Sequence, residues 1–213
     1  MHKALTCIVF ACFALAARAE PVTIAALGDS LTQGYGLPQE DGLVPQLETW
    51  LAAHGADTVL INAGVSGDTT AGGAARVDWT LTPEVDAMIV TLGGNDLLRG
   101  IDPAVSRSNL ETILKAAEAA DVPVLLIGME APSNYGPDYK AAFEGNYAEL
   151  AQQYGTLFLP SFLAGLAGQG ADPASLAPLM QADGIHPNAE GVRRIVEAIG
   201  PTVLQLIDRA RAG

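Results

Sequence analysis

Cysteine is almost absent from this 213-residue chain, and the two present, Cys7 and Cys12, both lie near its start. Beyond them there is no thiol for a disulfide framework or a thiolate nucleophile. Histidine is nearly as scarce, with three in the whole chain. Scattered acids and so few imidazoles give no zinc-type ligand cluster, so no metal is expected. Lys and Arg number 11 against 24 Asp and Glu, for a net charge of −13. Charge of that sign repels nucleic acid and anionic lipid surfaces, and no basic stripe offsets it. Aromatic residues are 6% of the chain, few for stacking sugars. No Walker loop or dinucleotide fingerprint follows the first apolar run, and no cofactor is expected. Repeats, low-complexity tracts and linkers are missing as well.

The amino terminus does carry a signal. His2 and Lys3 precede an apolar run from Ala4 to Leu15, and Ala17-Arg18-Ala19 has the small-x-small pattern of a signal-peptidase site. Such a run is too short for the roughly 20 residues of a membrane span. Val9-Phe10-Ala11-Cys12 resembles a lipoprotein site only faintly, because the apolar stretch before it is short. The expectation is an export signal over residues 1–19, removed to leave one domain over residues 20–213. That domain would hold no cysteine and, having lost Lys3 and Arg18 but no acid, would be more acidic still. Periplasmic residence is expected, with secretion as the alternative, no membrane span after cleavage, and a monomer.

Short apolar runs then alternate with longer amphipathic ones. Val22–Leu27, Thr58–Asn62, Ala87–Leu92, Pro123–Gly128 and Thr156–Leu159 read as buried strands. Leu43–His54, Ala104–Ala120, Asp138–Tyr154, Ala189–Ile199 and Thr202–Ala212 have helical spacing. Strands apolar on both faces and separated by helices predict an α/β fold, a three-layer α/β/α sandwich around a parallel sheet of about five strands. In such sheets ligands bind at the carboxyl ends of the strands. The polar, glycine-rich turns fall there: Gly28-Asp29-Ser30-Leu31, Asn62 to Asp68, Gly93-Gly94-Asn95-Asp96, Met129 to Asn134, and the connection ending in Asp183-Gly184-Ile185-His186.

A serine nucleophile needs a base, and only two histidines lie outside the expected signal. His54 closes a helix before Gly55, which a helix-terminal imidazole explains without catalysis. His186 precedes Pro187 and is biased toward an extended loop conformation, with Asn188 able to cap the following helix. Asp183 stands three residues earlier, close enough to reach the imidazole Nδ1 and fix its tautomer. Ser30 with His186 and Asp183 would complete a nucleophile–base–orienter set. The backbone N–H groups of Ser30 and Gly67 and the Asn95 side chain are candidate oxyanion donors. Taken singly, Gly67 and Asn95 are equally explained by turn chemistry.

These blocks, in this order from residue 27 to 188, resemble the SGNH (GDSL) hydrolase family. Gly34-Tyr35-Gly36, Ser66-Gly67-Asp68-Thr69, Gly93 through Gly100, Pro132-Ser133-Asn134-Tyr135-Gly136 and Asp183–Asn188 are similar to its periplasmic acyl-thioesterase, lysophospholipase and arylesterase branch. The resemblance implies a flavodoxin-like fold, Ser30 as nucleophile, His186 as base, Asp183 as its orienter, and oxyanion donors on Ser30, Gly67 and Asn95. It implies that Asp29 stabilises a turn, and that a mobile loop near Leu97–Gly100 responds to acyl chains. Leu97, Leu98 and Ile101 are the expected substrate contacts, and the implied substrate is a small acyl ester or thioester cleaved through an acyl-enzyme on Ser30.

Two other functions use the same residues. A carbohydrate O-acetylesterase would share the triad, and a non-catalytic binding module could share the scaffold. The G-x-S-x-G elbow of α/β-hydrolases is not present; Gly64-Val65-Ser66-Gly67 is one residue short.

Overall fold

The computed structural model describes residues 20–167 and 173–213, so the expected export signal lies outside the described residues. Strands β1 (Val22–Gly28), β2 (Thr58–Gly64), β3 (Ala87–Thr91), β4 (Val124–Ile127) and β5 (Leu157–Leu159) form one parallel sheet in the order β2-β1-β3-β4-β5. Helices α1 (Ser30–Gln33), α2 (Leu43–Ala53), α3 (Thr70–Thr80), α4 (Gly94–Leu98), α5 (Pro103–Ala119), α6 (Pro137–Tyr154), α7 (Ala164–Ala167), α8 (Pro173–Leu176) and α9 (Ala189–Ala212) alternate with the strands or follow them.

The chain runs outward from β1 to β2, then crosses back over β1 to build β3, β4 and β5. Right-handed crossovers turn that reversal into two helical layers. One holds α2 and α9, which pack together; the other holds α3, α5 and α6, which pack in series. The switch point between β1 and β3 opens a crevice above their carboxyl ends. Gly28 stands level there with Gly64 on one side and Thr91 on the other. The sandwich is therefore the α/β fold expected from the alternating pattern.

Three details differ from the sequence expectation. β2 is an edge strand paired only to β1, and its Val59 and Ile61 are exposed rather than buried on both faces. Periodicity of a short apolar run does not distinguish an edge from a centre. The two C-terminal helices are a single one, α9, with Pro201 inside it. Val192, Ile195, Val196, Ile199, Val203, Leu206 and Ile207 form one buried stripe through the proline. Pro201 itself faces solvent, where its missing N–H costs least. Helix α3 was not anticipated at all. Its sequence holds two glycines and buries only Thr70, Gly73 and Val77, so tertiary contact rather than propensity maintains it.

The seat of α1 on the sheet depends on a missing side chain. A Cβ on Gly64 would lie 2.3 Å from Gln33 N, 2.8 Å from Gln33 Cα and 2.9 Å from Asp29 O, all backbone. No rotamer change relieves such contacts. Gly64→Ala should lower stability by about 1–3 kcal/mol through overpacking and lift the turn holding Ser30. Urea unfolding with an activity assay tests this; wild-type values in both would show that α1 has room to spare.

Candidate active site

Asp29 follows β1 and caps α1, its Oδ1 accepting the Leu31 N–H at 3.0 Å. Ser30 thus begins a helix, at the end where backbone N–H groups are free of intrahelical partners. His186 Nε2 lies 2.9 Å from Ser30 Oγ, and its Nδ1 lies 2.7 Å from Asp183 Oδ2. An ionised carboxylate only accepts, so Nδ1 carries the proton and Nε2 is left to accept from the serine. Asp183 Oδ1 also accepts the N–H groups of Ile185 and His186, at 2.9 and 3.1 Å. The His186 side chain first, then these two N–H groups, hold the Asp183 carboxyl down at about 2. The acid therefore stays charged throughout any ordinary assay range.

The loop bearing His186 is braced on both sides. An isolated antiparallel bridge joins Met180 to Pro187, and Gln181 N donates to His186 O at 2.7 Å. Asn188 caps α9 by accepting from Gly191 N at 3.0 Å, as its position suggested. Gln181 Nε2 donates to both Tyr35 O and Pro187 O, and the Tyr35 ring lies 4.8 Å from the His186 ring. Neither Gln181 nor Tyr35 was marked by sequence reasoning as a support for the histidine. Gly34-Tyr35-Gly36 was noticed only as a motif.

The oxyanion candidates sit in turns cross-tied by polar side chains. Asn95 Nδ2 donates to Asp29 Oδ2 at 3.3 Å. Asp96, fully buried, accepts from Thr70 N at 2.8 Å, Thr70 Oγ1 at 2.5 Å and Ser106 Oγ at 2.9 Å. It thereby joins the Asn95 turn to the start of α3, two residues beyond Asp68. Arg76 binds Asp68 and reaches Ala63 O and Gly28 O at 2.7 and 2.8 Å. Arg99 Nη2 donates to Gly67 O at 2.8 Å. Gly67 adopts φ +85°, and among the described residues nothing accepts its N–H. That donor is available to a substrate.

Of the three expected substrate contacts, Leu98 is 62% exposed and Ile101 is partly buried, whereas Leu97 is only 8% exposed and packs in the core. Leu97 anchors the segment through packing and offers little surface to a ligand. Tyr135, Tyr139 and Tyr147 donate to the carbonyls of Leu97, Ile101 and Leu92 at 2.6, 2.8 and 2.9 Å. Tyr139 and Tyr147 carry no sequence signal and Tyr135 stands out only as part of a motif, because their partners lie some 38 to 55 residues away. Among the described residues no group of three or more His, Cys, Asp or Glu is arranged to hold a metal, and no helix is long and apolar enough to cross a membrane.

Comparison with known proteins identifies the family. The chain belongs to the GDSL-like lipase/acylhydrolase family, whose model matches residues 26–194. It is 41% identical over 195 residues to the protein named esterase TesA in Pseudomonas aeruginosa, covering 91% of this chain and 93% of that one. With the Escherichia coli protein named thioesterase 1/protease 1/lysophospholipase L1 it shares 33% identity over 189 residues, 87% of this chain and 85% of that one. A crystal structure of AlinE4, described as an SGNH-hydrolase family esterase, superposes with a TM-score of 0.72 at 42% identity, covering 89% of this chain and 98% of AlinE4. The protein is an ester or thioester hydrolase of the SGNH type.

Burial pushes the Asp29 carboxyl up from 3.8 to about 6, opposed by the Leu31 N–H, the Asn95 amide and the charge of His186. The folded state therefore keeps a proton that the unfolded chain releases between those values, so stability falls as pH rises through that window. The full effect is up to about 3 kcal/mol. Unfolding midpoints from pH 4 to 7 should move in favour of Asp29→Asn relative to wild type. A constant difference across that range would mean Asp29 titrates normally.

Proposed function

We propose that Ser30, His186 and Asp183 are the catalytic triad of this hydrolase. The observation that carries the reading is the His186 ring bridging Ser30 Oγ at 2.9 Å and Asp183 Oδ2 at 2.7 Å. Ser30 Oγ attacks the carbonyl carbon while its proton passes to His186 Nε2. The carbonyl oxygen becomes an oxyanion that accepts from Ser30 N–H, Gly67 N–H and the Asn95 amide. The adduct collapses, His186 gives its proton to the departing alcohol or thiol, and an acyl-Ser30 ester remains. Water then adds with His186 as base, and the acid leaves with Ser30 restored. Asp183, charged throughout, stabilises each imidazolium.

The substrate is read as an acyl or aryl ester or thioester. Tyr35, Val65, Leu98, Tyr135 and Ile185 are exposed apolar side chains, one from each connection after the five strands. Such a rim suits an acyl chain or aromatic leaving group better than a polar sugar. The names esterase TesA and arylesterase, the latter from Vibrio mimicus, support the same class. The domain is read as a monomer, exported after removal of residues 1–19.

Ser30→Ala should reduce kcat by about 10⁶-fold, the scale of serine-triad knockouts, on p-nitrophenyl esters. An alkyl phosphonate should label wild type at Ser30 and leave the variant unlabelled. Labelling elsewhere, or near-normal turnover by the variant, would overturn the triad. Separately, protein from the periplasmic fraction should begin at Glu20; a mature chain beginning at Met1 would remove the export reading.

A further inference from the structure

The reaction above leaves one buried ionisable group beside the nucleophile unused. Asp29 is 1% exposed, yet both carboxylate oxygens are engaged: Oδ1 by Leu31 N–H at 3.0 Å and Oδ2 by Asn95 Nδ2 at 3.3 Å. Asp29 is also the one partner of the Asn95 side chain among the described residues. An asparagine amide can turn over, exchanging its NH₂ and its carbonyl oxygen with almost no change of shape. Only one of the two orientations offers a hydrogen to an oxyanion; the other offers a lone pair and repels it.

We propose that Asp29 is a positioning residue for hydrolysis, whose Oδ2 locks the Asn95 amide with its NH₂ group in the oxyanion-binding orientation. The proposal rests on the reading of Ser30 and Asn95 given above. Its chemical ground is that a carboxylate accepts at both ends, whereas an amide of the same shape must present NH₂ to one of two donors. Asparagine at position 29 would cap α1 as well as aspartate does. Its NH₂ would then face the NH₂ of Asn95, and Asn95 would turn its oxygen inward. This explains why a carboxylate is retained where burial disfavours its charge. The turn-stabilising role implied by the family resemblance describes only the Leu31 half of its contacts.

A double-mutant cycle on purified protein tests this, using kcat and KM for a p-nitrophenyl ester. Asn95→Ala alone should lower kcat about 10²–10³-fold, the scale of one oxyanion donor. Asp29→Asn should fall in the same range with KM nearly unchanged, because the donor acts in the transition state. The double variant should be no slower than the worse single variant, since both changes remove one interaction. If the two losses instead multiply, or Asp29→Asn is fully active, Asp29 does not act through Asn95 and the proposal fails while the triad stands. If Asn95→Ala keeps full activity, the oxyanion assignment falls and this proposal with it. Should Asp29→Asn fold poorly, Asp29→Ser serves instead: serine caps the helix but is too short to reach Asn95, and the same non-additivity is expected.

Discussion

Gly28 and Gly64 end neighbouring strands without side chains, and α1 lies in the space their Cβ atoms would fill. A Cβ on Gly28 would stand 2.0 Å from Thr32 Oγ1 and 2.9 Å from Thr91 O. That close approach sets the height of Ser30 above the sheet. With α1 pressed down, Asp29 is buried against the Asn95 turn, and the helix-start N–H groups face the crevice between β1 and β3. A bulkier strand end would raise the nucleophile relative to His186, which approaches from the far end of the chain and is separately braced.

Around that seat the molecule replaces water with fixed polar groups. Asp96 takes three hydrogen bonds at zero exposure, and Arg76 spans Asp68 and two strand-end carbonyls. Three tyrosine hydroxyls hold carbonyls of the Leu92–Ile101 segment. Buried polar atoms are costly unless satisfied, and satisfied networks are rigid. The donors that would meet a reacting carbonyl are thus held by a scaffold whose carboxylates, guanidinium and tyrosine hydroxyls are already engaged, while the hydroxyls of Thr32 and Thr91 beneath it stay buried without a hydrogen-bond partner. Such donors need little rearrangement as charge develops.

The parts of this arrangement that were legible in the sequence are local ones. Asp183 and His186 are three residues apart, and their contact follows from the turn between them. Asn188 announces the start of α9, and the apolar runs of β1, β3 and β4 announce a covered parallel sheet. Where local signals were weak the reading failed: α3 is glycine-containing and nearly without an apolar face, and Pro201 suggested a break that the buried stripe overrides. The depth of Leu97 was not legible either: its motif does not tell it from the exposed Leu98, and α4 buries the one and not the other.

The sequence by itself determined the chemistry available: one feasible base, one acid in reach of it, a serine after the first strand, and glycine-rich turns at strand ends. Tertiary structure decided which of these meet. Ser30 and His186 are 156 positions apart, and Asp29 and Asn95 are 66 apart. Strand order, the edge position of β2 and the pairing of the Asn95 amide with Asp29 depend on the same kind of long-range closure. Such contacts form only when burial of the whole core repays the entropy of bringing distant segments together. No local pattern carries that information, which is why the contact of Asp29 with Leu31 is legible in the sequence and its contact with Asn95 is not.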